Sequence, residues 1–133
     1  MTFVKRSTSH MLLFIALVFQ SSASLAECLI VGDLTGWATK ERNQYIFEQD
    51  GFTMDNFYLK FGEQSWMSNE PEKVRISCLD MGVLVCPDSR FDQVLTWSVN
   101  QETGKVLHTR IVGNSLFEGA MAMVGDVVDS CDY

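Results

Sequence analysis

Four cysteines, at positions 28, 78, 86 and 131, constrain this chain more than any other feature. An even number of thiols in a short stretch bound for an oxidising compartment reads as two disulfides, with three possible connectivities. Residues 73–79 alternate Val74, Ile76 and Cys78 against Lys73, Arg75 and Ser77, the pattern of a half-buried strand. A second β-rich run covers 83–86, and Asp80-Met81-Gly82 between them is a turn signal. With a loop of Met81, Gly82 and Val83, Cys78 faces Cys86 across a hairpin at about 4.5–5.5 Å, a separation a disulfide tolerates. Elimination then pairs Cys28 with Cys131. That bond closes a loop of about 100 residues and is worth roughly 4–5 kcal/mol in the chain-entropy model. A zinc site of four thiolates needs paired spacings tighter than any here, and the Cys-x-x-Cys of a redox pair is absent.

The oxidising compartment is itself read from the first 26 residues. Lys5 and Arg6 precede nine nearly pure apolar residues, 11–19, followed by a small and polar stretch ending Ser24-Leu25-Ala26. That order is a secretory signal peptide, expected to be cleaved after Ala26, and its apolar run is too short to span a membrane. Glu27 before Cys28 argues against lipidation, so no stable membrane anchor is expected. No Asn-x-Ser/Thr sequon occurs, which favours bacterial export to the periplasm or medium.

Residues 27–133 carry 8 basic against 17 acidic residues, a net charge of −9. Such a surface repels phosphate backbones, so nucleic acid is not an expected partner. With 47% hydrophobic residues over the full sequence, residues 27–133 are read as a single β-rich domain.

Turn chemistry recurs along the domain. Asp50-Gly51 predicts a two-residue hairpin between 45–49 and 52–56. Gly62-Glu63 divides 57–61 from 64–68 and brings Leu59 against Trp66. Residues 94–101 and 105–112 flank Glu102-Thr103-Gly104, and a three-residue loop sets Leu95, Trp97 and Val99 opposite Ile111, Thr109 and Leu107. The alternative four-residue loop places Trp97 opposite His108 and Leu95 opposite Arg110, burying polar groups at a cost. The first register is preferred, and it leaves His108 on the polar face beside Ser98. A final segment, 116–128, is read as strand because Gly119 and Gly125 weaken a helix. The expected architecture is one antiparallel β-barrel or β-sandwich of eight or nine strands, built from hairpins and stapled by two disulfides. Residues 32–43 read as a long exposed loop, where binding residues collect. Trp37, Lys40 and Arg42 are therefore the candidate binding residues.

Chemistry is sparse. His108 is the one imidazole after the leader, so any Ser-His-Asp machinery must use it, and a flat sheet face offers no oxyanion hole. Gly113-Asn114-Ser115-Leu116-Phe117 fails the nucleophile-elbow pattern at its fifth place. Asp126, Asp129 and Asp132 lack the alternation of a calcium loop. Neither a cofactor, a metal nor catalysis is expected. The expectation is an exported, non-enzymatic binding module, and in its sharper form an inhibitor or immunity-type protein whose acidity steers a basic secreted or periplasmic protein partner. The alternatives are a structural or assembly component of the bacterial envelope and a hollow barrel for small hydrophobic ligands. Oligomeric state is left open.

Overall fold

The computed structural model describes residues 27–52, 55–69, 74–114 and 118–132. The expected leader, Lys73, and Ser115, Leu116 and Phe117 of the elbow-like motif lie outside them. Ten strands follow one another in these residues: β1 (Cys28–Lys40), β2 (Glu48–Phe52), β3 (Phe57–Lys60), β4 (Trp66–Ser68), β5 (Ile76–Ser77), β6 (Leu79–Asp80), β7 (Leu84–Asp88), β8 (Gln93–Asn100), β9 (Lys105–Val112) and β10 (Gly119–Ser130). They form one antiparallel sheet in the order β5-β4-β3-β1-β10-β9-β8-β7-β6, with β2 also paired to β1.

The sheet curls into a nearly closed barrel. Its two ends in that order, β5 and β6, are consecutive in the chain and separated by Cys78 alone. One short segment therefore pairs with β4 through Ile76 and Ser77 and with β7 through Leu79 and Asp80. The Cys78 amide between them donates to the Ser65 carbonyl at 2.9 Å. The Cys78–Cys86 disulfide fastens this seam, and the expected loop of Met81, Gly82 and Val83 joins β6 to β7. The second disulfide joins Cys28, the first residue of β1, to Cys131, which follows β10. Both pairings agree with the sequence reading. No cysteine is free, as an oxidising, extracellular-type compartment requires.

β1 organises the barrel. It pairs with β10 along most of its length on one side, and on the other with β3 through residues 28–31 and β2 through residues 34–38. The stretch expected to be a loop, 32–43, is thus mainly strand, followed by a 3₁₀ turn over Glu41–Asn43. Its glycines serve strand packing rather than a loop. A Cβ on Gly36 would overlap the Ala122 carbonyl and lie 2.7 Å from the Met123 Cα. The register slips between Gly32 and Thr35, where Asp33 adopts φ 55°. Such a bulge supplies the extra bend that closure demands.

The Asp50-Gly51 hairpin does not form. Both residues lie inside β2, opposite Gly36 and Thr35. The long edge of β1 offers a continuous ladder, and this non-local pairing outcompetes the local turn. The β3–β4 hairpin does form, one residue out of the expected register. Its loop spans 61–65, so Leu59 meets Met67 and Trp66 meets Lys60. Trp66 is nevertheless buried, with the Arg75 guanidinium carbon 4.1 Å from its ring centroid.

The β8–β9 hairpin takes the register that the sequence argument rejected. A four-residue loop, 101–104, places Trp97 opposite His108 and Leu95 opposite Arg110. Asn100 explains the choice locally. Its side-chain oxygen accepts from the amides of Glu102 and Thr103 at 3.0 and 3.2 Å, and its carbonyl accepts from the amide of Gly104 at 2.8 Å. Gly104 holds φ 70°, a conformation that side chains disfavour. Ser98 consequently faces Leu107, not His108.

The core fills one end of the barrel. Val31, Leu34, Leu59, Met67, Leu84, Cys86, Leu95, Trp97, Val106 and Met123 form a contiguous buried cluster. The Cys28–Cys131 staple lies at the same end, where the first residues of β1 meet the last of β10.

Candidate functional site

Alternation along β9 turns Val106, His108, Arg110 and Val112 toward the interior and leaves Leu107 and Ile111 exposed. His108, placed by the sequence argument on the polar face, is only 3% exposed. Two interactions offset the cost of burying it. One ring nitrogen, Nδ1, lies 2.9 Å from the Thr96 carbonyl, and the ring stacks on Trp97 with centroids 3.7 Å apart and planes at 18°. Phe57 extends the stack, 5.2 Å from Trp97 and 6.5 Å from His108. Burial, opposed by the Thr96 bond and aided by the charge of Arg110, lowers the imidazole pKa from 6.5 to about 4. At neutral pH His108 is thus an uncharged ring wedged into the core.

Beyond His108 the apolar filling stops. A cavity of about 650 Å³ occupies the opposite end of the barrel, lined by the last residues of β1, by β2, the ends of β9 and the start of β10. Its apolar lining includes Phe52, Val112 and Met121, and its charged lining is Lys40, Glu41, Arg42, Asp50, Arg110 and Glu118. A smaller cavity of about 380 Å³ runs alongside, bounded by Phe57, Leu95 and His108 and by the polar Asp55, Asn56 and Asn69. Phe52 and Arg110 belong to both walls.

The charges at the mouth differ in how they are engaged. Lys40 Nζ is 3.8 Å from Asp50. The Tyr45 hydroxyl donates to Glu118 at 2.7 Å, which together with burial and the nearby carboxylates raises the tyrosine pKa. Arg110 Nε is shut off from solvent without a hydrogen-bond partner. Three of the eight basic residues in 27–133 thus line one cavity, matched by three acids in a molecule that is otherwise strongly acidic.

Of the residues singled out from sequence, Lys40 and Arg42 lie at this mouth, whereas Trp37 is elsewhere. It is 55% exposed on the outer face of β1, opposite Gln49 of β2 and Ala122 of β10. From Ala122 the same row continues through Thr109, Thr96 and Val85. The neighbouring row runs Thr35, Val124, Leu107 and Ser98. No charge interrupts either row. Sequence reasoning missed Arg110, Phe52 and Met121 as cavity residues. The β9 alternation would have found Arg110 had the four-residue loop been kept. Among the described residues, no cluster of His, Cys, Asp and Glu is arranged to hold a metal ion. No known protein family, curated protein or solved structure matches the chain.

Proposed function

We propose that this chain is an exported, disulfide-stapled binding protein that performs no catalysis and holds a small ligand with an apolar body in the open end of its barrel. The observation that carries this reading is the unequal filling of the interior. Side chains plug one end, while the other keeps about 650 Å³, within the range of roughly 300–1,000 Å³ typical of ligand pockets. Small barrels either fill with side chains or hold one ligand, and this one does each at a different end. Export is supported by the leader-like residues 1–26 and by the two disulfides. His108 lends catalysis little, being buried, neutral at pH 7 and away from Ser98.

The test is native mass spectrometry of protein purified without denaturation, followed by solvent extraction. Expected is a retained small molecule, or saturable uptake of a medium-chain apolar probe that a Met121→Trp substitution blocks. Binding of the probe undiminished by that substitution would place it elsewhere and sink the reading.

A second reading is favoured by the uncharged rows around Trp37. A basic protein, steered by the net charge of −9, docks on that wall and buries no unpaired charge of this chain. Capture of a basic exported protein at low salt, lost in Trp37→Ala, supports it. Capture unaffected by Trp37→Ala would overturn it.

A further inference from the structure

Among the described residues that line the cavity, Thr39 and Arg110 each bury a side-chain polar atom without a hydrogen-bond partner, and Arg110 is the charged one. Its Nε is buried and lacks a hydrogen bond, and no described carboxylate forms an ion pair with it. The acids that share its cavities are Glu41, Asp50, Glu118 and Asp55. Asp50 is engaged by Lys40, and Glu118 accepts from Tyr45. A guanidinium is charged at every accessible pH and presents a planar fork suited to a carboxylate or phosphate. Held in a partly desolvated wall without a counter-ion, it is costly unless a ligand supplies one.

We propose that Arg110 anchors the anionic head of the ligand, so that the ligand class is an amphipathic monoanion: one negatively charged head on an apolar body. The inference rests on the ligand-barrel reading. Arg110 stands at the wall common to both cavities, and the apolar body lies along Phe52, Val112 and Met121. Lys40 and Arg42 at the mouth offset two of its three acids, Glu41, Asp50 and Glu118, which leaves one net negative charge at the entrance of a strongly acidic molecule. The remaining acidic surface acts only weakly there, since charges farther than about 8 Å are largely screened at physiological salt. A cation would leave Arg110 unpaired, and a zwitterion would bring an extra positive charge into the cavity beside it.

The experiment compares sodium decanoate with 1-decanol, two probes of equal chain length, by calorimetric titration of the full-length mature protein below the micelle threshold at pH 7. Decanoate is expected to bind at least tenfold more tightly than decanol. Arg110→Met should bring decanoate down to the level of decanol and leave decanol unchanged, and Arg110→Lys should recover part of the difference. Equal affinity of the native protein for both probes overturns the anchor while the ligand-barrel reading stands. Binding of neither overturns both. The native comparison requires no variant to fold, and decanoate binding undiminished in a folded Arg110→Met protein also overturns the assignment.

Discussion

The two ends of this barrel are built from the same strands and treat their interiors in opposite ways. Around Trp97 the inward positions carry mainly apolar or sulfur-bearing side chains, with His108 stacked on the indole, and the indole nitrogen itself donates to Met67 Sδ, 3.1 Å away. Around Arg110 the inward positions mix charged side chains with small ones and with Phe52, Val112 and Met121, and they border open space. The filled end is also where Cys28–Cys131 ties β1 to β10, whereas the open end has no covalent tie among the described residues. Dense packing and open space are thereby separated along one axis. A binding site needs desolvated, incompletely satisfied groups, and their cost is borne where packing is dense.

The contrast is best attacked first through its staples. Replacing Cys28 and Cys131 together by alanine should cost about 4–5 kcal/mol, since the bridged residues are 103 apart, against about 2–3 kcal/mol for Cys78 and Cys86, 8 apart. Urea denaturation of the two double variants checks the order, and a reversal would mean that the seam matters more than the stapled end. Next, Trp97→Ala should cost roughly 3–5 kcal/mol, because it empties the centre of the core and strips the stack from His108. Met121→Ala at the open end should cost about 1 kcal/mol, since it enlarges a space already present. Comparable losses in thermal or chemical unfolding would erase the distinction between the ends.

Acidity probes the boundary between them. The folded-state pKa of His108, about 4, lies below the unfolded value of 6.5, so between those values the unfolded chain binds the extra proton. Stability is therefore fully present above pH 6.5 and declines as pH falls toward 4, by roughly 3 kcal/mol at one pKa unit per 1.36 kcal/mol. His108→Phe should flatten that stretch of the stability profile. The stability contributed by Asp88, whose pKa is lowered by hydrogen bonds from Arg90 and Gln93 against its own burial, is fully present above about pH 3.8 and is lost only as pH falls below that value. The smallest effect is expected from Lys40→Gln. Its pair with Asp50 is partly exposed on both sides and 3.8 Å long, so its loss should change unfolding free energy by less than about 0.5 kcal/mol.

Much of this fold was legible locally. The Cys78–Cys86 hairpin followed from strand alternation and a three-residue turn, and the other disulfide followed by elimination. Trp97 was assigned to the core and Trp37 to the outside, as observed. The errors arose where distant pairing overrode local cues. Asp50-Gly51 resembles a turn until the edge of β1 is available to it, and the glycines of 32–43 resemble a loop until β10 packs against them. The β8–β9 register failed for a different reason. The cost of burying His108 and Arg110 was real, but a carbonyl and two aromatic rings offset it for one, and a cavity wall receives the other. Sequence marked Lys40 and Arg42 without showing that they face a hollow, because a hollow exists only once several strands have closed around it.

The seam carries a last implication. Because one short run, interrupted only by Cys78, occupies both extremities of the main strand order, the ribbon covers those two borders, and apart from them β2 is the strand, among the described residues, that is paired on one side only. Unpaired borders are what let β-rich molecules stack into fibres. The molecule is thus shielded from its neighbours along that seam by the path of its own backbone, with a sulfur bridge as the clasp.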